Sequence, residues 1–166
     1  MRAAIHYVER YATSTENLRK VLRRKVARRA APAGEAPAPH EPLIEATVAR
    51  LVELGLVDDH TYAQARLASL RRKGASRVMT TARLIEKGLP RELVEATLES
   101  DETEEAEAAA AYVRRRRFGP YRSPGRGDRR EREIAAMVRA GFPLGVAVAA
   151  IDAAVDPVDA SASDEN

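Results

Sequence analysis

The chain offers few residues that could make or break a covalent bond. It has no cysteine and only three histidines, His6, His40 and His60. That excludes thiol chemistry, disulfides and cysteine-based zinc sites. The histidines also lack the spacing that sets two metal ligands on one helix face. Asp58-Asp59-His60 is the one acidic–histidine cluster. A metal is one use for it. The better reading is Asp59 as cap of a helix starting near Thr61, where a carboxylate satisfies free N–H groups and favours the positive helix end. Asp101-Glu102-Thr103-Glu104-Glu105 reads as a hydrated first helical turn rather than an acid–base pair. No phosphate-cradling glycine loop, dinucleotide fingerprint or serine nucleophile motif occurs. The expectation is a non-catalytic binding protein with no cofactor and no metal.

The chemistry that is abundant is cationic. One cluster holds Arg19, Lys20, Arg23, Arg24, Arg28 and Arg29. A second holds Arg71-Arg72-Lys73 and Arg77. The third is Arg114-Arg115-Arg116-Arg117-Phe118-Gly119-Pro120-Tyr121-Arg122, basic with flanking aromatics. Arginine beside aromatic rings suits phosphate contact with stacking. It equally suits an acidic protein surface. Cations are also favoured at any helix C-terminus, which accounts for part of each cluster but not for so many charges at matching places. The candidate partner-binding residues are Arg19, Arg23, Arg24, Arg71, Arg72, Lys73, Arg77, Arg114, Arg115, Arg116, Arg117 and Arg122.

The elements that must carry these residues are helices. Of 166 residues, 45% are hydrophobic, 32% charged and 4% aromatic. Ala, Arg, Leu and Glu dominate, and valines never form an alternating run, so an all-α fold is expected. Net charge is only +3, but it is segregated: residues 1–30 carry +7, 31–60 −5, 61–91 +7, 92–111 −8, 112–140 +7 and 141–166 −5. The rhythm suggests a triple repeat. Gly88-Leu89-Pro90 returns as Gly141-Phe142-Pro143. In each, the glycine can close a helix in the left-handed conformation, the apolar residue can staple two helices, and the proline suits a first turn.

Three three-helix units follow: 1–54, with helices near 3–11, 14–30 and 43–54; 55–100, with helices near 59–72, 76–87 and 91–99; and 101–155, with helices near 102–117, 128–140 and 143–154. Thr13 with Glu16, and Asp128 with Glu131, have capping-box spacing. Tyr62, Ala63, Leu67 and Leu70 share a stripe expected to be buried, with Arg66 at its edge. A Pro/Ala-rich loop is expected at 31–42 and a disordered acidic tail at 156–166. Units this small need stacking to build a core, giving an elongated body suited to a long partner. No signal peptide or membrane span is read, so a cytoplasmic monomer is expected.

Gly55-Leu56-Val57-Asp58-Asp59-His60-Thr61-Tyr62-Ala63 resembles the RecX family. The likeness continues through the basic run to Lys73-Gly74 and to Lys87-Gly88-Leu89. Ala4-Ile5-His6-Tyr7-Val8-Glu9-Arg10-Tyr11 with Ser14 to Arg24 resembles the family's first repeat, and Arg114 to Tyr121 with Met137 to Phe142 its third. Val78, Thr80 and Lys25 depart from the family pattern. The resemblance implies three tandem three-helix repeats in a curved body that binds along the groove of the RecA–single-stranded DNA filament. It implies modulation, usually inhibition, of filament growth, ATP hydrolysis and strand exchange, the catalysis belonging to RecA. The alternative function is direct, non-sequence-specific nucleic-acid binding. The acidic blocks weigh against it, since a plain DNA binder is more often basic throughout.

Overall fold

A computed structural model describes residues 1–31, 40–123 and 129–154. Most of the Pro/Ala-rich insert, the capping expectation at Asp128 and the acidic tail lie outside them. Over the described residues the chain is all-helical, with no strand. The elements are α1 (Arg2–Val8), α2 (Thr15–Ala30), α3 (Glu41–Glu53), α4 (Asp59–Arg72), α5 (Arg77–Glu86), α6 (Arg91–Glu99), α7 (Glu105–Arg116), a 3-10 turn (Gly119–Tyr121), α8 (Arg130–Arg139) and α9 (Leu144–Asp152). None is long and apolar enough to cross a membrane.

Most boundaries fall within three residues of the apolar periodicity, and the differences have local causes. The cap of α2 is Ser14, not Thr13: its hydroxyl accepts the Asn17 N–H at 3.2 Å. Asp58 caps α4 in place of Asp59, its carboxylate taking the His60 N–H at 2.8 Å and the Thr61 hydroxyl at 2.7 Å. The Thr61 hydroxyl foremost, then the backbone N–H groups, holds the Asp58 carboxyl below its ordinary range. Pro42 belongs to the first turn of α3 rather than to the loop, at a position where no N–H is needed.

The residues group into two compact units. The first is Met1–Arg66 with Arg83–Glu99, the second Leu67–Ala82 with the chain from Ser100 onward. Ala4, Leu18, Leu22, Ile44, Val48, Leu51 and Val57 form an aliphatic core in the first. In the second, Ala108, Ala109, Val113, Ile134, Met137, Phe142, Ala147 and Ile151 are enclosed, with Tyr112, Phe118 and Tyr121 against them. On α4, Ala63, Leu67 and Leu70 are buried as the stripe requires, whereas Tyr62 is only half-buried.

Each unit contains the same lock. In the first, the buried Ser14 hydroxyl donates to the Lys87 carbonyl at the end of α5. Thr15 donates its N–H (2.8 Å) and hydroxyl (2.7 Å) to Asp59 at the start of α4. In the second, the buried Ser76 caps α5 through the Met79 N–H and donates to the Ala140 carbonyl at the end of α8, 2.7 Å away. The Arg77 N–H reaches Glu105 at the start of α7 at 3.2 Å. Both receiving carbonyls precede a left-handed glycine, Gly88 (φ +80) or Gly141 (φ +89). A Cβ on Gly88 would come within 2.6 Å of the Glu16 side chain, and one on Gly141 within 2.7 Å of Ser76 Oγ. Glycine is therefore needed twice over, for conformation and for close approach. Leu89 and Phe142 are buried as expected. In the expected first repeat, 1–54, Lys25 stands where the other two repeats have these glycines, and it ends nothing: α2 runs on to Ala30, and Lys25 sits 5.7 Å from the Tyr7 ring centre.

Candidate interaction surface

The twelve cations singled out by sequence have different fates. On α2, Arg19 is half-buried and gives its Nε–H to Glu45 at 2.9 Å. Arg23 is hydrogen-bonded to Glu41 through Nε (2.7 Å) and Nη2, with Glu16 and Glu45 also within ion-pair range. The bond to Glu41 raises the Arg23 pKa and lowers that of Glu41. Both arginines are thus largely neutralised from within. Arg24 is exposed, its Nε making a long 3.4 Å contact to the Lys20 carbonyl. Lys20, Arg28 and Arg29 are exposed beside it in sequence.

Arg71 departs most from the expectation of an accessible cation. Its side chain is fully buried. Nε–H binds Asp101 at 2.8 Å, Nη1 binds Glu105 at 2.7 Å and the Ala75 carbonyl at 2.9 Å, and Nη2 binds the Thr103 carbonyl at 2.7 Å. Burying a guanidinium is tolerable only with such pairing, so Arg71 holds the α4 end, the α5 entry and the α7 start together rather than meeting a partner. Arg72, Lys73 and Arg77 are exposed.

The third cluster forms an array. Arg114, Arg115 and Arg116 lie over aromatic rings: Arg114 5.7 Å from Tyr121, Arg115 5.9 Å from Tyr112 and Arg116 5.5 Å from Phe118. Each ring face attracts the guanidinium and limits its motion, and all three arginines are exposed. Tyr112 escaped the sequence reading, although its spacing of three from Arg115 on one helix was the available signal. Arg117 is the left-handed end of α7 (φ 54) and is exposed. Arg122 is the second structural arginine. It grips Glu133 through Nε (3.1 Å) and Nη2 (2.8 Å), while the Gly119 N–H donates to the same carboxylate at 2.8 Å. Burial pushes the Glu133 carboxyl up, but the bonds from Arg122 and Gly119 outweigh it and leave the pKa lowered.

The geometry therefore concentrates accessible positive charge at Arg114–Arg117 and at Arg72, Lys73 and Arg77 in the second unit, and at Arg24 with its neighbours in the first. No group of acidic and histidine residues that could hold a metal occurs among the described residues. Asp58 and Asp59 are both engaged in the hydrogen bonds given above.

No family model matches the chain, and no solved structure matches it. Relatives do. A Myxococcus xanthus protein named Regulatory protein RecX is 40% identical over 158 residues, covering 90% of this chain and 82% of its own. A Thermus thermophilus protein of that name is 33% identical over 147 residues, covering 89% of each. An Agrobacterium fabrum one is 30% identical over 141 residues, covering 84% and 74%. Likeness at this level across most of both chains extends well beyond the central Asp58–Ala63 motif, and the chain belongs to the RecX family of regulatory proteins.

Proposed function

We propose that this protein binds the RecA–single-stranded DNA filament and regulates it, chiefly by inhibiting recombinase and ATPase activity during recombinational DNA repair and the SOS response. The observation that carries this is the RecX relationship over 90% of the chain. We place the protein in the cytoplasm, acting as a monomer without chemistry of its own. Its organisation is three tandem three-helix repeats, 1–54, 55–100 and 101–155, followed by the acidic segment 156–166. The twin locks support that division. Ser14 and Ser76 occupy matching places, as do Asp59 and Glu105, and Lys87 and Ala140.

Filament contact falls to Arg24, Arg72, Lys73, Arg77 and Arg114–Arg117, and not to Arg71 or Arg122. A second reading, direct binding to single-stranded nucleic acid, is favoured by the arginines seated on aromatic rings, which could meet phosphates and bases alike. One experiment separates the two. Wild type and the Arg115→Ala/Arg116→Ala variant are titrated against labelled single-stranded DNA, bare or coated with RecA and ATP, while ATP hydrolysis is followed. Filament binding should weaken about 5- to 150-fold, the range of roughly 1–3 kcal/mol for charge-assisted interface contacts. If only bare-DNA binding falls, with filament binding and ATPase inhibition unchanged, the second reading replaces the first.

A further inference from the structure

The arginine array has a source of negative charge in its own chain. Arg115 and Arg116 are exposed on the rings of Tyr112 and Phe118, and Arg117 follows them, exposed as well. Among the described residues no carboxylate pairs with any of the three. The described chain ends close by. The 3-10 turn after α7 packs on the last turn of α9, where a Cβ on Gly119 would come within 2.6 Å of the Ile151 carbonyl. Ala153 and Ala154 line the same groove as Arg114, Pro120 and Tyr121. Arg115, Arg116 and Arg117 lie within the turn that follows Arg114. Beyond Ala154 the sequence holds Asp156, Asp159, Asp164 and Glu165, and no lysine or arginine. Asp152, the acidic residue before them, is already engaged by Arg130 at 2.7 and 2.6 Å. A chain spans at most about 3.6 Å per residue, so Asp156 and Asp159 stay within roughly 7 and 18 Å of Ala154.

We propose that the acidic segment 155–166 is a built-in competitor for the array. Its carboxylates meet Arg115, Arg116 and Arg117, and an anionic partner must displace them to bind. Position and tethering favour this occupant. A short linker gives the segment an effective concentration in the millimolar range, so contacts too weak to hold a free peptide suffice. Exposed ion pairs are individually weak and screened by salt, so a partner with denser charge can replace them. The device therefore rejects sparse negative charge and admits a dense anionic surface. The inference deepens the reading of the array as a contact for an anionic partner. It rests on that reading for its consequence, and the contact itself is tested without any partner.

The chain has no cysteine, so Ala160→Cys carries a single nitroxide label. Paramagnetic broadening of the Arg115, Arg116 and Arg117 amide signals is measured in the full chain at low salt. It is measured again in a neutralised variant, Asp156→Asn with Asp159→Asn, Asp164→Asn and Glu165→Gln. Neutralisation should cut the broadening at least twofold. So should about 1 M salt, where the screening length is about 3 Å. Equal broadening in all three samples would overturn the proposal. Broadening that disappears on tenfold dilution would also overturn it, by placing the segment on a second copy. The consequence is read by titrating labelled oligothymidylate, bare or coated with RecA. The neutralised variant should bind at least fivefold more tightly at low salt than wild type. A control with the same net charge, Glu86→Gln with Glu92→Gln, Glu99→Gln and Glu102→Gln, removes four exposed carboxylates elsewhere and should gain less than twofold. In the Arg115→Ala/Arg116→Ala background the gain should vanish, because its target is gone. An equal gain in the control or in that background, or no gain on either probe, refutes the competitor. A gain on bare DNA but not on the filament supports the competitor and removes the array from the filament interface.

Discussion

Replacing Arg117 with glycine should stabilise the fold while weakening partner binding. Helices α3, α4, α5 and α8 all end on a left-handed glycine, at Gly55, Gly74, Gly88 and Gly141. In each, the glycine N–H bonds three residues back and the next N–H five residues back, as in Gly141 to Val138 and Phe142 to Met137. Helix α7 ends with the same two bonds, Arg117 to Arg114 at 3.2 Å and Phe118 to Val113 at 2.9 Å, but its left-handed residue has a side chain. The clash of Cβ with the backbone there costs roughly 1–2 kcal/mol. Glycine relieves it and gives back about 0.4–1 kcal/mol through the freer unfolded chain. The net gain is about 0.5–1 kcal/mol, or about 1–4 °C in Tm for a chain of this size. Arg117→Ala is the control, because alanine keeps the strain and loses the same charge. Urea unfolding followed by circular dichroism should rank glycine above alanine and wild type, with those two within about 0.5 kcal/mol of each other. Binding to an anionic partner should fall equally in both variants. A glycine variant no more stable than the alanine one would show that Arg117 is not strained and would sink the reasoning.

Three further outcomes follow from the same contacts. Arg71→Met should destabilise by about 3–5 kcal/mol, because Asp101 and Glu105 would be left without their counter-charge; an unchanged urea midpoint would return Arg71 to the surface. Ser14→Ala and Ser76→Ala each remove a helix cap and a bond to the neighbouring helix end, and should each cost about 1–2 kcal/mol; if only one does, the two locks are not equivalent. Acid should destabilise the second unit through Glu133. Its folded pKa is depressed, so its contribution is full above the unfolded carboxylate value, about 4.3, and is lost as pH falls through the lower folded one. Glu133→Gln should flatten the loss of stability in that acid window, and an unchanged slope below pH 4.3 would count against the Arg122–Glu133 clamp.

The helices were legible because apolar spacing and punctuation agree along the chain: the Gly-apolar-Pro triplets end α5 and α8 where the periodicity stops. Pro143 lies one place earlier than expected, at the cap of α9. Choices between adjacent polar residues were not legible. Thr13 and Ser14, or Asp58 and Asp59, have equal capping chemistry, and the choice depends on a tertiary partner far along the chain. Ser14 is fixed by Lys87, and Asp59 is drawn away by Thr15. The exposed apolar face of α9 was invisible for a related reason. The apolar residues of α9 read as core, and only packing shows which of its faces is covered.

The site was legible as a charge rhythm but not as an assignment of charges. Much of that rhythm is spent inside the molecule. The acidic block 31–60 supplies Glu41 and Glu45 to Arg23 and Arg19 of the basic block before it. The block 92–111 supplies Asp101 and Glu105 to Arg71, again in the preceding basic block. Asp152 in the last block serves Arg130. Alternating charge along a chain of packed helices is thus first a device for joining successive elements, and only the cations left over by it can face a partner. A cluster's size says little about how many remain: Arg71 and Arg72 are adjacent in sequence, yet one is sealed in and the other exposed. What marks Arg115 and Arg116 out is the kind of neighbour they have, the rings of Tyr112 and Phe118. Rings orient a guanidinium without cancelling its charge, whereas carboxylates do both. By that physical criterion Arg115 and Arg116 are held in place by rings while remaining exposed.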